Sequence, residues 1–145
     1  MKISKGLILD LCRIAAILIL ILCIVLWYNQ KPNFSKYHSY AVETESGYIP
    51  LTDEQFQQIA QSYISDDTLE YCWSSKLGPG GHKLILFKSY DMSGNCVNMY
   101  TGVTYPVSYL YLGNRSFKFD SSKPIDVAEQ IIEEAINQSE SEQEL

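Results

Sequence analysis

The longest feature in the hydropathy pattern lies near the start, where fifteen residues from Ile14 to Tyr28 run without a charge or an amide. As a helix this run measures about 22 Å, short of a hydrocarbon layer of about 30 Å. Leu7, Ile8, Leu9, Leu11 and Cys12 carry the apolar character backwards. Asp10 and Arg13, three residues apart, can neutralise each other on one helix face while Arg13 snorkels outward. The span then becomes long enough to cross a bilayer. Trp27 and Tyr28 followed by Lys31 supply an interfacial aromatic belt and a basic anchor. A removable signal would need a small-x-small cleavage site just after the run, but Trp27 to Pro32 stands there, and Ser39-Tyr40-Ala41 lies well downstream with an aromatic in its middle. A core helix of a soluble domain would not be apolar on every face. The reading is therefore an uncleaved transmembrane anchor over 14–28, extendable back to 7, preceded by a short segment 1–13.

Beyond the anchor, Asn29 to Tyr48 shows neither helical nor strand period, and 29–50 is expected to be a semi-extended linker. His38, among Tyr37, Ser39 and Tyr40, reads as a solvated residue of that linker, since one imidazole without partner ligands makes no site. A domain over 51–138 then opens with a capped helix. Thr52 is the N-cap, Gln55 completes a capping box, and Leu51 can staple against Phe56. Phe56, Ile59, Ala60, Tyr63 and Ile64 share one face of a helix predicted from Asp53 to Ser65.

Strands follow at "LEYCWSSKL", "HKLILFKSY" and "CVNMYTGVTY", separated by turns at GPGG and DMSGN. The clearest hairpin is "VSYLYLGNRSFKFD". A two-residue type II′ turn at Gly113-Asn114 sets Leu112 opposite Arg115, Leu110 opposite Phe117 and Ser108 opposite Phe119. Leu110, Leu112, Phe117 and Phe119 then share the core face, and Tyr109, Tyr111 and Lys118 take the other. A last helix, capped by Ser121 or Ser122 with Pro124 in its first turn, carries the stripe Ile125, Ala128, Ile131, Ile132, Ala135 and Ile136. Residues 139–145 read as an acidic disordered tail. The expected fold class is α+β: an N-terminal transmembrane helix, then a small antiparallel sheet with two amphipathic helices on its core face.

Charge adds topology. Lys2, Lys5 and Arg13 precede or open the apolar run against Asp10 alone, which keeps the N-terminus in the cytoplasm and sends the domain outside the cell membrane. From Asn29 on, eight Lys or Arg face sixteen Asp or Glu, a formal −8. Such a domain repels a phosphate backbone, so no nucleic acid is expected as partner.

Outside the cell a disulfide is permitted, and pairing Cys72 with Cys96 would close a loop of about 25 residues, worth on the order of 3 kcal/mol. A strict meander forbids it, because Cys72 then falls opposite Phe87 and Cys96 opposite Tyr90. The disulfide is expected, with the first strand displaced or sitting beside the third.

Candidate chemistry is sparse. Ser74 or Ser75 with His82 lacks a nucleophile-elbow frame, two distant His and two Cys make no metal centre, and the carboxylates read as solvated helix faces. Neither catalytic residues nor a cofactor is expected. What remains is eleven tyrosines. An exposed pair at Tyr109 and Tyr111 would form a recognition surface, Tyr being amphipathic and cheap to order. The sequence thus points to a non-catalytic binding or accessory module of the cell envelope, held in the lipid bilayer by its N-terminal helix and facing a protein partner. The alternative is a structural single-pass subunit of a larger membrane complex.

Overall fold

The computed structural model describes residues 4–72, 81–104 and 107–145, and the chain divides into two compact units, 1–30 and 31–145. The first unit is a helix, α1 (Lys5–Tyr28), whose N-cap Ser4 accepts through its hydroxyl from the Leu7 amide. Its 24 residues span about 36 Å, enough to cross a bilayer. The mean hydropathy of its most apolar window is 2.8, and none of its residues is buried. Asp10 and Arg13 form the expected ion pair, 3.4 Å apart.

The second unit holds strands β1 (Ser39–Thr44) and β2 (Gly47–Leu51), helix α2 (Asp53–Ile64), strands β3 (Glu70–Cys72), β4 (Lys83–Phe87), β5 (Cys96–Thr104), β6 (Val107–Leu112) and β7 (Arg115–Phe119), and helix α3 (Lys123–Gln143). All seven strands join one antiparallel sheet in the order β2-β1-β4-β5-β6-β7-β3. The fold of this unit is α+β. Both helices contribute to a single core with one sheet face: Phe56, Ile59 and Tyr63 from α2 and Ala128, Ile131 and Ile132 from α3 meet Val42, Leu84, Leu86, Met99, Leu110 and Phe117.

Local signals set α2 and the β6–β7 hairpin. Thr52 and Gln55 close a reciprocal capping box, the Thr52 hydroxyl accepting from the Gln55 amide at 3.2 Å and the Gln55 side chain from the Thr52 amide at 2.9 Å. Gly113 takes φ +64° while Asn114 does not enter the left-handed region, as a type II′ turn requires. The register is the expected one, with Leu112 opposite Arg115, Leu110 opposite Phe117 and Ser108 opposite Phe119.

Three expectations are corrected. The segment 29–50 is not simply a linker: Phe34 and Tyr37 are buried in the core, and β1 and β2 form a hairpin within the sheet. The period is hidden because β1 lies between two strands and is buried along Ser39–Val42 without alternation, whereas β2 is an edge strand with Pro50 and little burial. The C-terminal residues 139–143 continue α3 rather than forming a disordered tail, with the Ser139 hydroxyl donating to the Ile136 carbonyl at 2.8 Å. The strand expected from Leu69 is described only as Glu70–Cys72. It pairs with β7 at the far edge, displaced from the meander but not beside β5. Residues 73–80, with the rest of that strand and most of the GPGG turn, lie outside the described residues.

Candidate functional site

On β6 the two-residue period of the pleat puts Tyr109 and Tyr111 on the face away from Leu110 and Leu112. Their ring centroids are 6.0 Å apart and their planes tilt by 32°. Tyr111 stands opposite Tyr100 on β5, while Tyr109 stands opposite Gly102, which brings no side chain to that position. All three tyrosines are half-buried. α2 and α3 pack on the other face of the sheet.

Two lysines frame these rings. Lys83, paired with Tyr100 in the β4–β5 ladder, places its ammonium 5.8 Å from the Tyr100 ring centroid and forms an ion pair with Glu43. The hydrogen bond to the Glu43 carboxylate raises the Lys83 pKa above the ordinary lysine value. Lys118, opposite Tyr109, reaches Glu70 at 3.2 Å, and that hydrogen bond likewise raises its pKa. Among the described residues, Lys83 and Lys118 on this part of the sheet are thus paired, and three aromatic rings stand between them. At the β1–β4 end of the same face, Ala41, Ile85 and Phe87 are buried in a small cluster with Met92.

The expected Cys72–Cys96 disulfide is absent: both cysteines are unbridged. The strand order explains this, since β3 and β5 are separated by β6 and β7, a distance of about 14 Å at ordinary strand spacing. Cys72 faces Ser116 across its ladder, and Cys96 faces Phe87.

The serines of the constellation sketched around His82 lie outside the described residues. His82 itself precedes β4, its carbonyl accepting from the Thr101 amide at 3.1 Å. Among the described residues no three of His, Cys, Asp and Glu gather into a cation-binding group.

His38 is not a solvated linker residue. It is half-buried, its amide donates to the Phe87 carbonyl at 2.8 Å, and its imidazole stacks on Tyr90 with centroids 4.7 Å apart. It belongs to a cleft between the segment after α1 and helix α2 that sequence reasoning missed. The crowding of Tyr37, His38 and Tyr40 was the available signal, and reading 29–50 as a linker discarded it. No family model matches the chain, and no curated protein or solved structure matches it significantly.

Proposed function

We propose that the protein is a membrane-anchored, extracytoplasmic binding or accessory module of the cell envelope, acting through the β5–β7 part of its sheet rather than by catalysis. The observation that carries this reading is the group Tyr100, Tyr109 and Tyr111, three rings on the sheet face that neither α2 nor α3 covers. Partly open aromatic surface of this kind suits the core of a protein interface, with the Lys83–Glu43 and Lys118–Glu70 pairs as its polar rim. The apolar length of α1 supports attachment to the bilayer, and the basic residues before it support a cytoplasmic N-terminus.

The reading is tested in intact cells. The full chain is expected to fractionate with membranes, to resist high-salt extraction and to be digested from outside. A photo-crosslinker at Ser116, beside Tyr111, is expected to capture a partner that the Tyr109→Ser/Tyr111→Ser double variant no longer captures while staying folded and membrane-bound. Unchanged capture by the double variant would remove this face as the site. Capture by crosslinkers placed along α1 but not by the one at Ser116 would favour a structural subunit instead, and recovery of a soluble form beginning near Val42 would establish a cleaved signal.

A further inference from the structure

The cleft beside His38 shares no lining residue with the Tyr100, Tyr109 and Tyr111 group. It has a volume of about 550 Å³, within the range of small-ligand pockets. Its floor comes from buried Phe34, Tyr37 and Tyr40 and its rim from Asp53, Gln57 and Tyr90. The floor is fixed by packing and hydrogen bonding: Tyr40 stacks on Phe56 and donates its hydroxyl to the Tyr37 carbonyl at 3.1 Å.

Tyr90 is the unusual member, 78% exposed yet held on both sides. On one side its ring stacks on His38. On the other, the loop that carries it is tied down: the Ser39 hydroxyl donates to the Ser89 carbonyl and the Ser89 hydroxyl to the Ser93 carbonyl. Two residues on, Met92 adopts φ +57°, a conformation costly for a side chain of its size, and packs against Ala41, Ile85 and Phe87. A large apolar ring is thus presented to solvent at the mouth of a cleft by a loop that is pinned rather than loose.

The charge of the lining selects the ligand. Asp53 is the one carboxylate among the described lining residues, which besides it hold no Lys or Arg and a single imidazole, His38, and it forms no salt bridge with any described residue. Its negative charge acts on Tyr40, adding to the burial that already raises that hydroxyl's pKa. The nearest cations, Lys36 with its ammonium 5.5 Å from the Tyr37 ring centroid and Arg115, line a neighbouring cleft rather than this one, so an anion would find no ammonium or guanidinium in the lining, and an uncharged ligand would gain nothing from Asp53. Aromatic walls with one unpaired carboxylate, in a unit of formal charge −8, match an organic cation, which gains from ring faces and carboxylate together. We infer that this cleft binds a small organic ammonium ion between Tyr90 and the Tyr37/Tyr40 floor, with Asp53 as its counter-charge.

The test follows amide NMR signals of the full-length chain in dodecyl maltoside micelles during titration with choline and with 3,3-dimethylbutan-1-ol, its uncharged carbon isostere. Choline is expected to shift His38, Asp53, Gln57 and Tyr90 saturably, and the isostere to bind about tenfold more weakly, the scale of a cation–π and carboxylate contribution. Asp53→Asn should reduce that preference severalfold, leaving the part that the rings supply, and Tyr90→Ala should weaken choline binding. Both residues are exposed, so the amide spectra of the variants should otherwise match the parent. Repeating the titration in phosphatidylglycerol and phosphatidylcholine nanodiscs separates two sources of the cation. A choline response in both assigns a free ion, and a response lost only in phosphatidylcholine assigns the lipid headgroup. Equal responses to choline and its isostere, no saturable response to choline in micelles, or a preference unchanged in Asp53→Asn would each overturn the inference without touching the role of Tyr109 and Tyr111.

Discussion

The Tyr40 ring lies almost flat on that of Phe56, with centroids 3.8 Å apart and planes 13° from parallel. This contact ties β1, from the segment that looked like a linker, to the first turn of α2. Phe56 also meets Phe34 edge-on at 5.7 Å, so a single side chain joins the helix to both parts of that segment. Phe56→Ala is expected to cost about 3–5 kcal/mol in denaturant unfolding. Tyr40→Phe, which removes the hydroxyl donated to Tyr37, should cost about 1 kcal/mol. A small loss for Phe56→Ala would mean that the segment is not integral to the core.

The β6–β7 hairpin separates core from surface within two residues. Leu110 is fully buried and Tyr111 half-buried on the opposite face. Leu110→Ala should lower stability by about 2–4 kcal/mol and Tyr111→Ala distinctly less. The reverse order would show that the two faces are assigned backwards.

Gly81 adopts φ +74°, and a Cβ there would come within 1.5 Å of the Thr101 carbonyl oxygen. The neighbour is backbone inside a ladder and cannot swing aside, so Gly81→Ala should displace the start of β4 from β5. Gly113 has a similar φ of +64° but would meet only a Val97 methyl at 3.2 Å. Gly113→Ala is expected to cost about 1–2 kcal/mol, and Gly81→Ala clearly more, in paired thermal melts.

Tyr63 is completely buried, edge-on to Phe119 at 5.5 Å, and its hydroxyl has no hydrogen-bond partner among the described residues. Burial pushes its pKa well above the ordinary tyrosine value. A raised folded-state pKa leaves stability intact below about pH 10, where the unfolded chain also keeps its proton. Above that pH the unfolded chain ionises first, and stability falls as pH rises towards the folded pKa. Tyr63→Phe should therefore be nearly neutral at pH 7 and flatten the alkaline decline. A parallel decline in both proteins would assign alkaline unfolding to other groups.

Under non-reducing conditions the native chain should contain no Cys72–Cys96 bridge. Peptide mapping after alkylation of the native and then the unfolded protein should recover both residues as alkylated thiols, Cys96 in the first step because it is exposed. A bridged peptide would require β3 to leave the sheet edge.

What was legible in the sequence was what local chemistry writes. The Thr52–Gln55 capping box, the Gly113-Asn114 turn and the alternation around it specify α2, one register and both faces of β6. The apolar stripe of α3 was equally readable through Ala135. The remainder depends on distant neighbours. β1 shows no alternation because β2 and β4 flank it and both its faces are covered, and the far-edge position of β3 is set by its pairing with β7, which nothing near Cys72 encodes. That Tyr109 and Tyr111 share the face away from Leu110 was visible from the hairpin alone, although both are half-buried rather than exposed. The cleft was not, since it assembles Tyr40, Asp53 and Tyr90 from three separate stretches of chain.

Among the described residues, both margins of the sheet offer little to another strand. On one, β2 is five residues long and includes Pro50, which has no amide hydrogen to offer. On the other, the described part of β3 is three residues long and its Glu70 is engaged with Lys118. Molecules held in a bilayer by α1, the placement proposed above, would diffuse in two dimensions and meet one another far more often than dissolved ones. Under that crowding an open strand margin would invite sheets to fuse into continuous ribbons, a hazard that a short, proline-bearing margin such as β2 lowers.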